Sequence, residues 1–234
     1  MVEGDRMADE EGTPAPMFGA DRCPVVLFDF DGTIADTAPA IKRVARKTLK
    51  RHGIEPKKKQ LRHLVGPPLT DGFRDIFGVS QEEAEQLTAE YRELCKTEVR
   101  LKDYPPFEGM PELLRDLKAE GRRLGVASSR NEVSAIPMLE GLGLADCFET
   151  IVGGLDDERD TKAECIQEAL ERMDVQASDA VMVGDRFHDV EGAHAVGVPC
   201  IGIYTGTCEE GELEDAGADA VARSVPELRE ILGA

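Results

Sequence analysis

The sequence predicts an α/β fold, a doubly wound parallel sheet of Rossmann-like type with an inserted all-helical domain. Three observations point to it. Short apolar runs recur along the chain, separated by lengths suited to single helices. One stretch, residues 37–102, breaks that rhythm with helical patterning alone. Carboxylates, serines and a lysine fall where apolar runs end or helices begin, the edge at which open parallel sheets carry their ligands.

Val25 to Phe28 is apolar, rich in β-branched residues and followed by a turn signal at Asp31-Gly32, as suits a strand buried on both faces. Beyond it, Ile41, Val44, Ala45, Thr48, Leu49 and His52 fall on one helical face, with Asp36 or Thr37 available as a cap and Pro39 in the first turn. A second helix is expected from about Gln81 to Leu101, with Ala84, Leu87, Tyr91, Leu94 and Cys95 on one side. Between them lies Lys57 to Val79, holding Gly66-Pro67-Pro68 and Phe73 and opening on a Lys57-Lys58-Lys59 run that reads as a solvated loop. From Asp103 the pattern changes at Pro105, Pro106, Gly109 and Pro111. A helix from about Pro111 to Glu120 closes at Gly121, and strands are expected at Leu124 to Ala127, Thr150 to Val152, Ala180 to Val183, Pro199 to Ile203 and Asp219 to Val221. The α/β core is thus assigned to residues 23–36 and 103–234, the helical cap domain to 37–102 and a flexible acidic tail to 1–22.

Composition narrows the function. A chain of 234 residues with 41% hydrophobic content can bury a large core, and a net charge of -19 argues against a nucleic-acid or anionic-membrane partner. The first 21 residues carry six acids against Arg6 and lack the apolar core of a signal peptide. No apolar stretch approaches the roughly 20 residues of a membrane span. Six scattered cysteines without a Cys-x-x-Cys pair fit reduced thiols in a cytoplasmic protein.

The chemistry sits at the strand ends. Alternation sends Asp29 and Asp31 the same way and Phe30 the other, and two crowded carboxylates call for a cation between them. Ser128-Ser129-Arg130-Asn131, placed before a helix, offers hydroxyls and free N–H groups to an anion. Asp185 and Asp189 follow the strand at 180–183, and acids converging from separate strands suit an oxygen-ligated ion such as magnesium. Lys162, opening the helix after the third core strand, reads as the cation that neutralises a phosphoryl group and an aspartate. His188 and His194 are six apart with no cysteine motif nearby, which argues against zinc.

Together these segments resemble the haloacid dehalogenase superfamily over nearly all of Pro24 to Ala234. Asp29-Phe30-Asp31-Gly32-Thr33 is similar to its first motif, Ser128 to its second, Lys162 to its third, and Gly184-Asp185 with Asp189 to its fourth. The helical insertion, with Gly66-Pro67-Pro68-Leu69, resembles the cap of the branch that includes phosphoglycolate phosphatase, as do Glu108 to Ser128 and Gly197 to Leu228; one cluster of that branch is labelled 5′-nucleotidase or pyrophosphatase. The resemblance implies a Mg²⁺-dependent phosphatase acting on a small phosphorylated metabolite. Asp29 would be the nucleophile that becomes an aspartyl-phosphate and Asp31 the general acid and base. Mg²⁺ would be held by Asp29, the Asp31 carbonyl and Asp185, with Asp189 orienting ligands. Ser128, Ser129, Gly32, Thr33 and Lys162 would bind the phosphate. Dehalogenases of the superfamily lack a second aspartate and need no magnesium, so the presence of Asp31 argues against dehalogenation. A cap-lysine Schiff base, as in phosphonate-cleaving relatives, is disfavoured because Lys42, Lys47 and Lys50 lie on a charged helix. A sugar phosphomutase and a non-catalytic phosphate-ligand binding protein are the alternatives, and either a monomer or a homodimer is compatible with the sequence.

Overall fold

The computed structural model describes residues 17–155 and 158–234. Its centre is a six-stranded, wholly parallel sheet of order β3-β2-β1-β4-β5-β6, built from β1 (Val25–Phe28), β2 (Arg123–Asn131), β3 (Thr150–Gly154), β4 (Ala180–Gly184), β5 (Cys200–Ile203) and β6 (Ala220–Ala222). Alternation along β1 sets the layers. Val26 and Phe28 pack toward α5 (Met110–Ala119), α6 (Glu132–Gly141) and α10 (Val225–Leu232), while Val25 and Leu27 pack toward α7 (Lys162–Met173), α8 (Phe187–Ala195) and α9 (Glu212–Asp215). All four β1 side chains are buried, as expected of a central strand covered on both faces.

Register brings the strand ends together. Phe28 lies opposite both Val126 of β2 and Val183 of β4, and the Asp29 N–H donates to the Val183 carbonyl at 2.9 Å. The residues after three adjacent strands therefore emerge side by side at one edge.

Between β1 and β2 the chain forms α1 (Ala38–Arg51), α2 (Lys58–His63), α3 (Leu69–Phe77) and α4 (Gln81–Glu98). These helices enclose a hydrophobic cluster of their own, in which Ile41, Val44 and Leu49 of α1 meet Phe73 of α3 and Leu87 and Tyr91 of α4. Their ends are set locally. Gly78 closes α3 with φ +67°, and Ser80 and Glu83 exchange a reciprocal pair of bonds at the start of α4, satisfying N–H groups that the helix cannot.

Several expectations are corrected. Lys58 and Lys59 begin α2 and do not form a loop, and α4 ends at Glu98, short of Leu101. Thr37 precedes α1 without a side-chain capping bond, and its hydroxyl is buried with no partner among the described residues. His52, expected on the buried face of α1, is its exposed terminating residue. Of the expected tail, residues 1–16 lie outside those described, whereas Phe18 is only 5% exposed and belongs to the main hydrophobic cluster. Phe18 therefore packs on the core, while Met17 and residues 20–22 are exposed.

Phe73 is fully buried and stacks edge-on against Tyr91 at 6.3 Å between ring centroids, so it holds α3 to α4. Phe73→Ala is expected to cost about 3–5 kcal/mol within this cluster. Amide hydrogen exchange checks it: protection falls in α3 and α4 while β1 remains the most protected segment.

Candidate active site

Asp29 and Asp31 project to the same side beyond β1, while Phe30 between them is buried in the core. Both aspartates line a cavity of about 470 Å³ between the sheet edge and the helical insertion, together with Ser128, Ser129 and Arg130 from β2 and Gly66, Pro67, Pro68 and Tyr91 from the insertion.

Lys162 is the first residue of α7, whose start is fixed by reciprocal bonds between Thr161 and Glu164. The ammonium lies 2.7 Å from Asp29, 2.7 Å from Asp189 and 3.1 Å from the Ala127 carbonyl, so it ties together the end of β1, the first turn of α8 and β2. Burial works against its charge, yet Asp189 and Asp29 outweigh burial and hold Lys162 protonated well above its ordinary range. Asp189 meanwhile accepts the Arg186 N–H at 3.0 Å through its other oxygen, capping α8.

Asp29, Asp185 and Asp189 are all buried and each offers an oxygen within 4.8 Å of the others, a group that could hold a metal ion. The donor set tests that fit. Asp185 is 1% exposed, yet its hydrogen-bond partners are neutral: the Thr33 hydroxyl at 3.3 Å and the Thr207 N–H at 3.2 Å. Burial, then the neighbouring Asp189 and Asp29, drive its carboxyl well above the usual range, and burial pushes Asp29 up to about 6 despite Lys162. An all-oxygen, electron-rich group short of positive charge fits a hard divalent cation.

Glycines make room for these acids. Gly32 has φ +89°, and a β-carbon on it or on Gly206 would overlap the Asp185 carboxylate. A β-carbon on Gly184 would overlap Asp189, and one on Gly192 would press into the Lys162 side chain.

Of the residues singled out in the sequence, Asp29, Asp31, Lys162, Asp185 and Asp189 gather at this edge, and Ser128 and Ser129 line the cavity. One reading changes. The serines do not open a helix: β2 continues through Asn131, and Asn131 itself caps α6 by accepting the Val133 N–H at 3.1 Å. Ser128 is 1% exposed and accepts the Arg130 N–H at 3.3 Å. Thr33 is fully buried with its hydroxyl on Asp185, and Gly32 lies beside the same carboxylate.

Sequence reasoning missed four features. Arg130 grips Asp31 with two bonds, 2.8 and 2.7 Å. Arg186, 7% exposed, binds Glu212 at 2.7 Å and donates to the Val65 carbonyl of the insertion. Thr205, beyond β5, donates to the Gly32 carbonyl at 2.7 Å, and Gly206 and Thr207 close over Asp185. The strand at 199–203 was legible, and a search of its carboxyl end would have found the last two features.

A family model of haloacid dehalogenase-like hydrolases matches residues 26–203. The chain belongs to the haloacid dehalogenase-like hydrolase family. A relative in Pseudomonas aeruginosa named 5′-nucleotidase is 35% identical over 213 residues, spanning 90% of this chain and 96% of that one. A phosphoglycolate phosphatase of Agrobacterium fabrum is 30% identical over 223 residues, covering 89% and 94% of the two chains. Among solved structures, one described as a predicted phosphatase from Clostridium acetobutylicum superimposes with a TM-score of 0.84 at 35% identity, covering 88% of this chain and 96% of that one. The α/β architecture of this hydrolase is thus shared with its relatives, and among the described residues no helix is long and apolar enough to cross a membrane.

Because Asp29 takes up its proton near pH 6 when folded and near 3.8 when unfolded, the folded state binds more protons across that window and loses stability as pH rises through it. Asp185 acts in the same direction. A divalent cation removes that penalty, so thermal melting is expected to rise with added Mg²⁺ by more at pH 7.5 than at pH 5.0, and Asp185→Asn to abolish most of the rise. Equal shifts at both pH values would contradict the acid cluster as the binding site.

Proposed function

We propose that this hydrolase is a Mg²⁺-dependent phosphatase of a small phosphorylated metabolite, working through an aspartyl-phosphate on Asp29. The observation that carries the reading is the buried Lys162 bridge between Asp29 and Asp189, with Asp185 beside it and a cavity in front. Lys162 keeps one Asp29 oxygen engaged and favours its ionised form, leaving the other free to attack phosphorus.

In the first step the free Asp29 oxygen bonds to phosphorus as the bond to the leaving oxygen breaks, and Asp31 gives that oxygen a proton. In the second, water attacks the same phosphorus, Asp31 takes its proton, and the Asp29–phosphorus bond breaks to release phosphate. Lys162, the Ser128 hydroxyl and backbone N–H groups at the end of β2 meet the charge on the non-bridging oxygens. Asp29, Asp185 and the Asp31 carbonyl, with Asp189 beside them, would hold Mg²⁺, whose charge offsets that of the transferring group.

Helices α1 to α4, at residues 37–102, serve as a cap over the core of 23–36 and 103–234, excluding water and selecting the substrate. Relatives bearing phosphoglycolate phosphatase and 5′-nucleotidase names support a phosphate monoester as substrate. The intact acid cluster favours catalysis over mere ligand binding. A homodimer or monomer in the cytoplasm remains the working assignment, consistent with six unpaired cysteines.

Phosphate release from glycolate, sugar, nucleotide, pyrophosphate and aryl phosphates tests the proposal. Turnover is expected with Mg²⁺, to vanish with EDTA, and to fall by at least about a thousandfold in Asp29→Asn, the scale of losing a covalent nucleophile. Activity that survives Asp29→Asn excludes the covalent route, and isomerised sugar phosphate without free phosphate identifies a mutase.

A further inference from the structure

Asp31 faces the cavity with neither oxygen free. Arg130 Nε lies 2.8 Å from one and Nη2 2.7 Å from the other, and both side chains are about one-seventh exposed, at 14% and 15%. The guanidinium also stands 5.7 Å over the Phe30 ring and feels Tyr91 and Cys95 of α4, so it lies between the sheet edge and the insertion. A two-pronged pair of this kind fixes a carboxylate in one orientation. So held, Asp31 has both oxygens engaged and cannot turn toward a leaving oxygen.

The neighbouring cations have other duties. Lys162 is committed to Asp29 and Asp189, and Arg159, 7% exposed, to Glu132 at 2.6 Å and the Gly153 carbonyl at 2.8 Å. Arg130 is different because its partner must be released for the chemistry to proceed. Pulling a guanidinium from its carboxylate in a partly dry pocket is costly unless a second anion replaces the first. Carboxylate and phosphate both match its fork.

We propose that Arg130 determines specificity by holding Asp31 idle until a second anionic group of the substrate, a carboxylate or a further phosphate, takes the guanidinium in exchange. The inference rests on the phosphatase reading and deepens it by naming the substrate class: a phosphate ester or anhydride with a second anion close to the phosphorus. Binding energy at the remote group is thereby converted into freedom of the acid, so the preference appears in kcat more than in KM.

The test compares phosphoglycolate, pyrophosphate and 2-hydroxyethyl phosphate, the last matching phosphoglycolate in size without its carboxylate. The full chain with Mg²⁺ is expected to favour at least one doubly anionic compound over hydroxyethyl phosphate by about tenfold or more in kcat, the scale of about 1.4 kcal/mol. Which of the two is favoured distinguishes carboxylate from phosphate. In Arg130→Met the preference collapses, with kcat on hydroxyethyl phosphate rising while that on the favoured compound falls; Arg130→Lys restores part of it. Should Arg130→Met fail to fold, the unaltered protein decides: added formate, supplying the carboxylate separately, is expected to accelerate hydroxyethyl phosphate turnover. No preference in the unaltered protein, an equal loss on all compounds in Arg130→Met, or no response to formate overturns the inference. If turnover occurs and Asp29→Asn abolishes it, such a result removes only the role of Arg130; if no compound is turned over, both readings fall.

Discussion

The bridge from Lys162 to Asp29 and Asp189 is the interaction on which the rest of the structure depends. It joins the end of β1 and the start of α8 to the start of α7, at a depth where each unpaired charge would cost several kcal/mol. Four carboxylates, Asp29, Asp31, Asp185 and Asp189, crowd this edge, and among the described residues the cations that pair with them directly are Lys162 and Arg130. Folding therefore leaves the site short of positive charge by design of its sequence. The deficit is what makes it receptive to a hard cation, and it is tolerable only because the sheet register and the capping bonds of α7 and α8 hold every acid in place.

The core was legible because its signals are local. Val25 to Phe28, Ala180 to Val183 and the other apolar runs became strands within two residues of their expected ends, except β2, which extends four residues beyond Ala127. That extension mattered: serine and asparagine beside an apolar run read as a helix start, whereas β2 continues past an irregularity in register after Ala127 and pairs again with β3 at Asn131, opposite Gly154. The acids were legible because each lies within six residues of the end of an apolar run. Arg130 and Arg186 were not, since their partners lie 99 and 121 residues away in sequence and no spacing rule connects them. The two short helices α2 and α3 escaped for another reason, having too few turns to display a period.

Arg186 also links two parts of the molecule that the sequence presents separately. It follows Asp185 directly, yet its guanidinium reaches the Val65 carbonyl before Gly66-Pro67-Pro68, while Arg62 of the same insertion pairs with Glu209 at 3.2 Å. Glu212 anchors Arg186 from α9. The turn that supplies a buried acid is thus the turn on which the helical insertion rests, and the two share one arginine.

The ring of glycines around the acids has a consequence for how such a molecule can vary. At Gly32, Gly184, Gly192 and Gly206 even a methyl group would displace a charged side chain, so these positions admit nothing larger than hydrogen. The reaction centre is consequently closed to gradual remodelling. New selectivity has to arise in the walls that the insertion contributes, where Pro67, Pro68, Thr88 and Tyr91 line the cavity. A fixed engine with a replaceable front is the natural outcome of packing charges this tightly against bare backbone.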